Sequence, residues 1–109
     1  MTLNEFEQSV FAVANRTSIC ETPTIRRLTP TSITIRVPLT TGGFVDAFFN
    51  QQTGTTAFAL IQNDMRIFGA DNTSGWHLHP FADPVQHQFE MGDLSFVEFI
   101  AMIENHYSN

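Results

Sequence analysis

Lysine is absent from this chain of 109 residues, and its five cationic side chains are Arg16, Arg26, Arg27, Arg36 and Arg66. Eleven acidic residues outnumber them and give a formal net charge of −6. Proteins that bind nucleic acid without regard to sequence need a broad basic surface, which this composition excludes. A small group of arginines that binds one phosphate remains compatible with it.

Cysteine is also scarce, because Cys20 is the only one. An internal disulfide is therefore impossible, and a reducing compartment is favoured. No apolar run approaches the roughly 20 residues that span a bilayer, and the N-terminus lacks the basic and apolar regions of a signal peptide. We expect a cytoplasmic protein without a membrane segment. We expect Cys20 to be a small buried or half-buried residue rather than a nucleophile.

The length and the apolar content of the chain indicate one compact domain over residues 1–109. Hydrophobic residues make up 42% of the chain and include eleven phenylalanines, which suits one modest core. Helical spacing of apolar residues predicts a helix over residues 3–15, where Thr2 and Glu5 fit a capping box. Ser95 and Glu98 fit a second capping box, which precedes a C-terminal helix that is apolar on nearly every side. Such a helix needs cover on more than one side, and we therefore predict a homodimer.

Between the helices, alternating apolar residues and short turns predict strands. Residues 25–28, bounded by Pro23 and Pro30, are compatible with a short edge strand, but their pattern does not assign one. Further strands are expected at 32–39, 44–50, 55–62, 65–70 and 76–80. Their connections are too short for crossover helices, so neighbouring strands should be antiparallel. The sequence thus predicts an α+β fold with a four- or five-stranded meander. The strand at 55–62 is apolar on both faces, which predicts that both are covered.

The segment from Arg66 to His87 holds three of the four histidines and the only tryptophan. In an extended segment, His77 and His79 project from the same face. Asp71 lies across the intervening loop, and His87 follows after two prolines. Three imidazoles and one carboxylate can therefore converge.

Two kinds of chemistry suit such a group. As a metal site, His77, His79 and His87 would supply nitrogens and Asp71 an oxygen to zinc, nickel, copper or iron. As an acid–base site, a histidine pair would move protons during RNA cleavage. Arg66 or Arg36 would then hold the phosphate and Asp71 would orient a histidine.

A purely structural interpretation stands beside both. Asp71 and Asn72 can hydrogen-bond to the backbone of their own turn, and Trp76 can anchor the core. His77 and His79 can donate to carbonyls, with His87 on the surface. The protein would then be a non-catalytic, homodimeric interaction protein.

The stretch from Arg66 to Asn72, followed by a turn, by His77-Leu-His79-Pro-Phe and by His87, resembles the signature of the TumE-like toxins. The resemblance covers residues from about 32 to 107 and includes the meander and the last helix. In the family pattern the histidines near the end of the motif are adjacent, whereas here they are separated.

The resemblance implies a growth-inhibiting protein that acts on RNA and is held in check by an antitoxin protein. Its functional positions carry over to Asp71, Asn72, His77, His79 and His87. Composition and spacing alone show nothing about toxicity.

Overall fold

Six strands and two helices make up the computed structural model, which describes residues 1–81 and 92–108. Helix α1 spans Leu3–Arg16 and helix α2 spans Phe96–Ser108. Between them lie β1 (Thr24–Leu28), β2 (Ser32–Pro38), β3 (Phe44–Asn50), β4 (Thr56–Gln62), β5 (Met65–Asp71) and β6 (His77–His79). Neither described helix is long and apolar enough to cross a membrane.

The strands form one antiparallel sheet in chain order, from β1 at one edge to β6 at the other. This confirms the predicted α+β class and the meander. The strand count is six rather than four or five, because both short segments pair: β1 with β2, and the three-residue β6 with β5. The β4–β5 connection is a two-residue turn in which Asn63 and Asp64 both have positive φ.

Both helices pack on the same face of the sheet. Their buried residues join those of the strands in one core, in which Phe58 of β4 lies 6.4 Å from Phe6 of α1 and 5.3 Å from Phe99 of α2, between ring centroids. The strand residues in this core follow the predicted alternation: Ile33, Ile35, Val37, Val45, Ala47, Phe49, Phe58, Leu60, Phe68 and Ala70.

Capping boxes begin both helices, as predicted. The Thr2 hydroxyl accepts from the amide of Glu5, whose carboxylate accepts from the Thr2 amide. Ser95 and Glu98 make the equivalent bonds at α2. These hydrogen bonds satisfy amides that the helix itself leaves without partners. The backbone bonds lower the pKa of both Glu5 and Glu98.

The opposite face of the sheet carries the polar side chains. No described helix covers it, and Ala57, Ala59 and Ile61 of β4 are only half-buried there. The prediction that β4 is covered on both faces is therefore wrong for the described residues. The apolar residues of β4 on this face are two small alanines and one isoleucine, and the described residues form no second packed layer over them.

Cys20 is half-buried and pairs with Leu39 through an isolated bridge. Burial, with a smaller contribution from Glu104, raises the pKa of the Cys20 thiol to about 11. A thiol with this pKa stays protonated at neutral pH, which agrees with the expectation that Cys20 is not a nucleophile.

Candidate metal centre

The β5–β6 hairpin brings the predicted site residues onto one face. Asp71 pairs with His77 and Gly69 pairs with His79 in the strand register. Side chains alternate along a strand, so Asp71, His77 and His79 share the face opposite the helices, while Ala70 lies in the core. Both imidazoles are buried, each at 4% exposure.

The carboxylate of Asp71 lies between the two imidazoles. Nε2 of His77 is 3.2 Å from its Oδ1, and Nε2 of His79 is 3.3 Å from its Oδ2. The ring centroids of the histidines are 5.0 Å apart, nearly edge to face. One donor atom from each of the three residues can be chosen so that all lie within 4.8 Å of one another. We call these three residues the Asp–His cluster.

A carbonyl group fixes the orientation of the His77 ring. Its Nδ1 lies 3.0 Å from the carbonyl oxygen of Gly75, which can only accept, so Nδ1 carries a proton. The lone pair of a neutral His77 ring is then on Nε2, which is 3.2 Å from a carboxylate oxygen of Asp71. Two acceptors at this distance repel each other. A proton between these two atoms, or a metal ion bound to both, would remove this repulsion.

The turn after β5 holds the Asp71 carboxylate in place. The amide of Thr73 donates to Oδ1 of Asp71 at 3.1 Å, and the Thr73 hydroxyl donates to the same oxygen. This is the turn that the structural interpretation predicted, so Asp71 takes part in both the turn and the cluster. Burial raises the pKa of Asp71. The hydrogen bonds from Thr73, the charge of His77 and the hydrogen bond from His79 outweigh it, so the net pKa lies below the usual value.

Asn72 anchors the end of the hairpin to the β3–β4 turn. Its side-chain oxygen accepts from the Thr56 amide at 2.7 Å, and its amide group donates to the carbonyl of Gly54 at 2.9 Å. Asn72 therefore acts on the cluster through the backbone, by fixing where β5 ends.

A β-bulge turns Arg66 toward the cluster. Leu60 of β4 pairs with Phe68, but the next residue, Ile61, pairs with Arg66, so Ile67 is the extra residue. Without it, Arg66 would share the core face with Phe68. Bulges commonly redirect a side chain in this way beside functional sites.

Gly69 leaves room for the redirected side chain. A Cβ atom at Gly69 would lie 3.2 Å from Cδ of Arg66 and 3.2 Å from the carbonyl oxygen of Phe58. The arginine can thus cross the strand and reach His79, the pairing partner of Gly69. A terminal guanidinium nitrogen of Arg66 lies 3.3 Å from Nδ1 of His79.

This contact fixes the second imidazole in the opposite tautomer. A guanidinium can only donate, so Nδ1 of His79 accepts and the ring proton is on Nε2. From Nε2 the proton is donated to Oδ2 of Asp71. The two histidines therefore contact the same carboxylate with their protons on different nitrogens.

Of the predicted site residues, Asp71, His77, His79 and Arg66 lie together. Arg36 does not join them, because its guanidinium bonds Asp46 in a bidentate pair. His87 lies outside the described residues. Arg26 and Arg27 are on β1, at the edge of the sheet opposite the histidines. His106 is apart from the cluster and stacks on Phe81, with 3.6 Å between ring centroids.

Sequence reasoning missed the residues that position the cluster, namely Gly69, Thr73 and Gly75. One signal was available, because a glycine inside an apolar strand often marks a bulge or a close approach. The role of Thr73 follows from the aspartate two residues before it, which is a common turn pattern. The carbonyl of Gly75 left no signal, since any residue has one.

Comparison with protein-family models, with curated proteins and with solved structures finds no match to this chain. The resemblance to TumE-like toxins therefore stays a prediction. The functional argument rests on the geometry of the cluster.

Proposed function

We propose that the Asp–His cluster binds a first-row transition metal ion, and that the protein uses it in metal-assisted chemistry. One observation carries this proposal: Asp71, His77 and His79 each offer one donor atom, and these three atoms lie within 4.8 Å of one another. Two imidazoles and one carboxylate form a donor set suited to zinc, iron, nickel or copper.

The spacing of the donors supports a metal ion. Ligand atoms about 2.1 Å from a tetrahedral zinc lie about 3.4 Å from one another. The two nitrogen–oxygen distances are 3.2 and 3.3 Å, and all three donors lie within 4.8 Å. Side-chain shifts of about 1 Å would bring all three donor atoms to this spacing. The bond from His77 to the Gly75 carbonyl is the kind of outer contact that orients metal-ligating histidines.

Burial favours metal binding over direct proton transfer to RNA. A general acid or base must come within hydrogen-bond distance of the reacting atom. The imidazoles are 4% exposed and both contact Asp71, which is a poor arrangement for reaching a polynucleotide. A metal ion needs no such access for its ligands. Three protein ligands also leave a position for water, whose pKa zinc lowers to about 7.

A second candidate is an RNA-cleaving toxin of the TumE type, controlled by an antitoxin. Arg66 favours it, because this exposed arginine reaches His79 at 3.3 Å and guanidinium groups bind phosphate in a bidentate manner. An acid–base pair and a cation would then lie within one hairpin. Loss of RNA cleavage in Arg66→Met, without any loss of zinc affinity, would support this candidate.

The proposal of a homodimer rests on helix α2. Val97 and Tyr107 on this helix are 51% and 39% exposed, although four other apolar residues of the helix are buried in the core. A second copy could cover these side chains. Light scattering at micromolar concentration gives the mass directly, and a monomer would overturn this part.

Isothermal titration with Zn²⁺ tests the metal centre. We expect one ion per chain, and a loss of affinity of at least about 100-fold in His77→Ala and in His79→Ala. His106→Ala is the matched control, because this histidine lies outside the cluster and should leave affinity unchanged. Equal zinc affinity in all three variants and the unmodified protein would contradict the proposal.

A further inference from the structure

An apolar cavity opens on the helix side of the sheet, away from the Asp–His cluster. Its volume is about 220 Å³, and it lies between α1, the start of β4 and the start of α2. Phe6, Phe58, Trp76 and Phe96 contribute aromatic rings to its wall. We propose that this cavity binds a small, uncharged, apolar molecule of about the size of one aromatic ring.

The polar groups of the wall exclude a charged or strongly polar ligand. The three hydroxyl groups in it, those of Ser9, Thr56 and Ser95, all donate to acceptors within the chain. No charged side chain is among the described residues that line the cavity. A charged ligand would lose its hydration there and meet no charged side chain among the described lining residues, which disfavours it relative to an apolar ligand.

The size of the cavity sets the size of the ligand. An apolar cavity of about 150 Å³ stays dry and binds benzene, and a void of this kind leaves its lining atoms without contacts on one side. A volume of about 220 Å³ accommodates one substituted ring. Met1 lines the same cavity and is 72% exposed, so it marks the side from which a ligand enters.

The ring arrangement favours a flat ligand. Phe58 lies 6.2 Å from Trp76 and 5.6 Å from Phe96, between ring centroids. The rings of Phe58 and Trp76 are stacked and that of Phe96 is tilted by 58° to Phe58, and aromatic ligands can pair in either geometry. This site does not depend on the proposed metal centre, because it lies on the other face of the sheet and shares none of its residues.

Toluene is the probe for the experiment, and benzoate is its charged counterpart. Trp76 is the only tryptophan and lines the cavity, so its fluorescence reports occupancy directly. We expect toluene to change this fluorescence in a saturable manner and to raise Tm by about 5 °C at ten times its Kd. Benzoate at the same concentration should do neither.

Two valines of α1 provide matched variants. Val13 lines the cavity, whereas Val10 is fully buried and does not. Val13→Phe should fill the space, abolish the toluene response and keep Tm at or above that of the unmodified protein. Val10→Phe should overpack the core and lower Tm. If toluene changes neither Trp76 fluorescence nor Tm, or if its effect persists in a folded Val13→Phe, the proposal is overturned.

Discussion

Two cross-strand polar pairs lie on the same face of the sheet, and they differ in what their partners can do. Arg36 and Asp46 face each other across β2 and β3, with bidentate contacts of 3.0 and 3.2 Å. Asp71 and His77 face each other across β5 and β6, and His79 adds a second imidazole. The first pair joins fixed charges, whereas the second joins a carboxylate to groups that can exchange a proton for a metal ion.

Exposure separates the two pairs further. The side chains of Arg36 and Asp46 are 31% and 29% exposed, and the guanidinium also lies 3.8 Å above the ring of Phe44. Hydrogen bonding to Asp46 raises the pKa of Arg36, so the guanidinium stays charged. The histidine side chains are 5% exposed and that of Asp71 is 18% exposed. The comparison therefore favours the buried cluster over the Arg36–Asp46 ion pair as the site of the proposed metal binding.

The largest expected difference between the pairs is the response to metal. Zinc at 100 times its Kd should stabilise the folded protein by about 2.7 kcal/mol, which is a rise in Tm of about 10 °C. Asp71→Asn should lose most of this rise, and Asp46→Asn should keep it. Thermal melts with and without a chelator measure both. An equal zinc-induced rise in Tm in Asp71→Asn and Asp46→Asn would contradict metal binding through Asp71.

The next difference concerns stability without metal. Asp71→Ala should lower the free energy of unfolding by about 2 kcal/mol, because it leaves buried donors without an acceptor. Asp46→Ala should cost about 1 kcal/mol or less, because its partner is partly exposed. Urea unfolding in the presence of a chelator gives both values.

The contribution of Asp71 to the free energy of unfolding should depend on pH with a definite sign. The folded-state pKa of Asp71 lies below its ordinary value of 3.8. Its stabilising contribution is therefore present above that value and is lost as the pH falls through the folded-state pKa. A gap between the unmodified protein and Asp71→Ala that widens in acid would contradict the hydrogen-bonding scheme.

A smaller effect is expected at the two arginines. Arg66→Met should raise zinc affinity about tenfold, since it removes a positive charge near the ion and a donor that holds His79 in the competing tautomer. Arg36→Met should leave zinc affinity unchanged, because that guanidinium bonds Asp46. Calorimetric titration of both variants checks this. Lower affinity in Arg66→Met would mean that the arginine supports the ion, for instance through an anion bound to it.

The smallest effect is expected at Gly69. Gly69→Ala should cost about 1 kcal/mol, because the new Cβ would crowd Arg66 and the Phe58 carbonyl at 3.2 Å. Gly54→Ala is not a matched control, since Gly54 has a φ of +77°. Gly92, which has open space around its Cβ position, is suitable. Chemical unfolding of Gly69→Ala and Gly92→Ala measures the difference.

Much of the fold follows from local patterns in the sequence. Alternation from Ser32 to Val37 and the short turn at Asn63 and Asp64 specify an antiparallel meander, because no helix fits between the strands. The convergence of Asp71, His77 and His79 also follows from two-residue spacing in one hairpin. These features depend on neighbours in the chain, which a sequence displays directly.

The details that give the cluster its properties depend on register. The bulge at Ile67 reverses the face of Arg66, and an alternating pattern gives no sign of one extra residue. The tautomers of His77 and His79 depend on contacts with Gly75 and Arg66, which only the folded hairpin creates. Spacing can therefore suggest donors for a metal, but it cannot say which nitrogen of each ring is available.

Nitrogen NMR of the histidine side chains tests the central claim most directly. On addition of one equivalent of Zn²⁺, the Nε2 resonances of His77 and His79 should shift to metal-bound values, while Nδ1 of His77 keeps its proton and its bond to Gly75. The His106 resonances should not move. Unchanged resonances of His77 and His79, or a shift confined to His106, would contradict a metal centre formed by Asp71, His77 and His79.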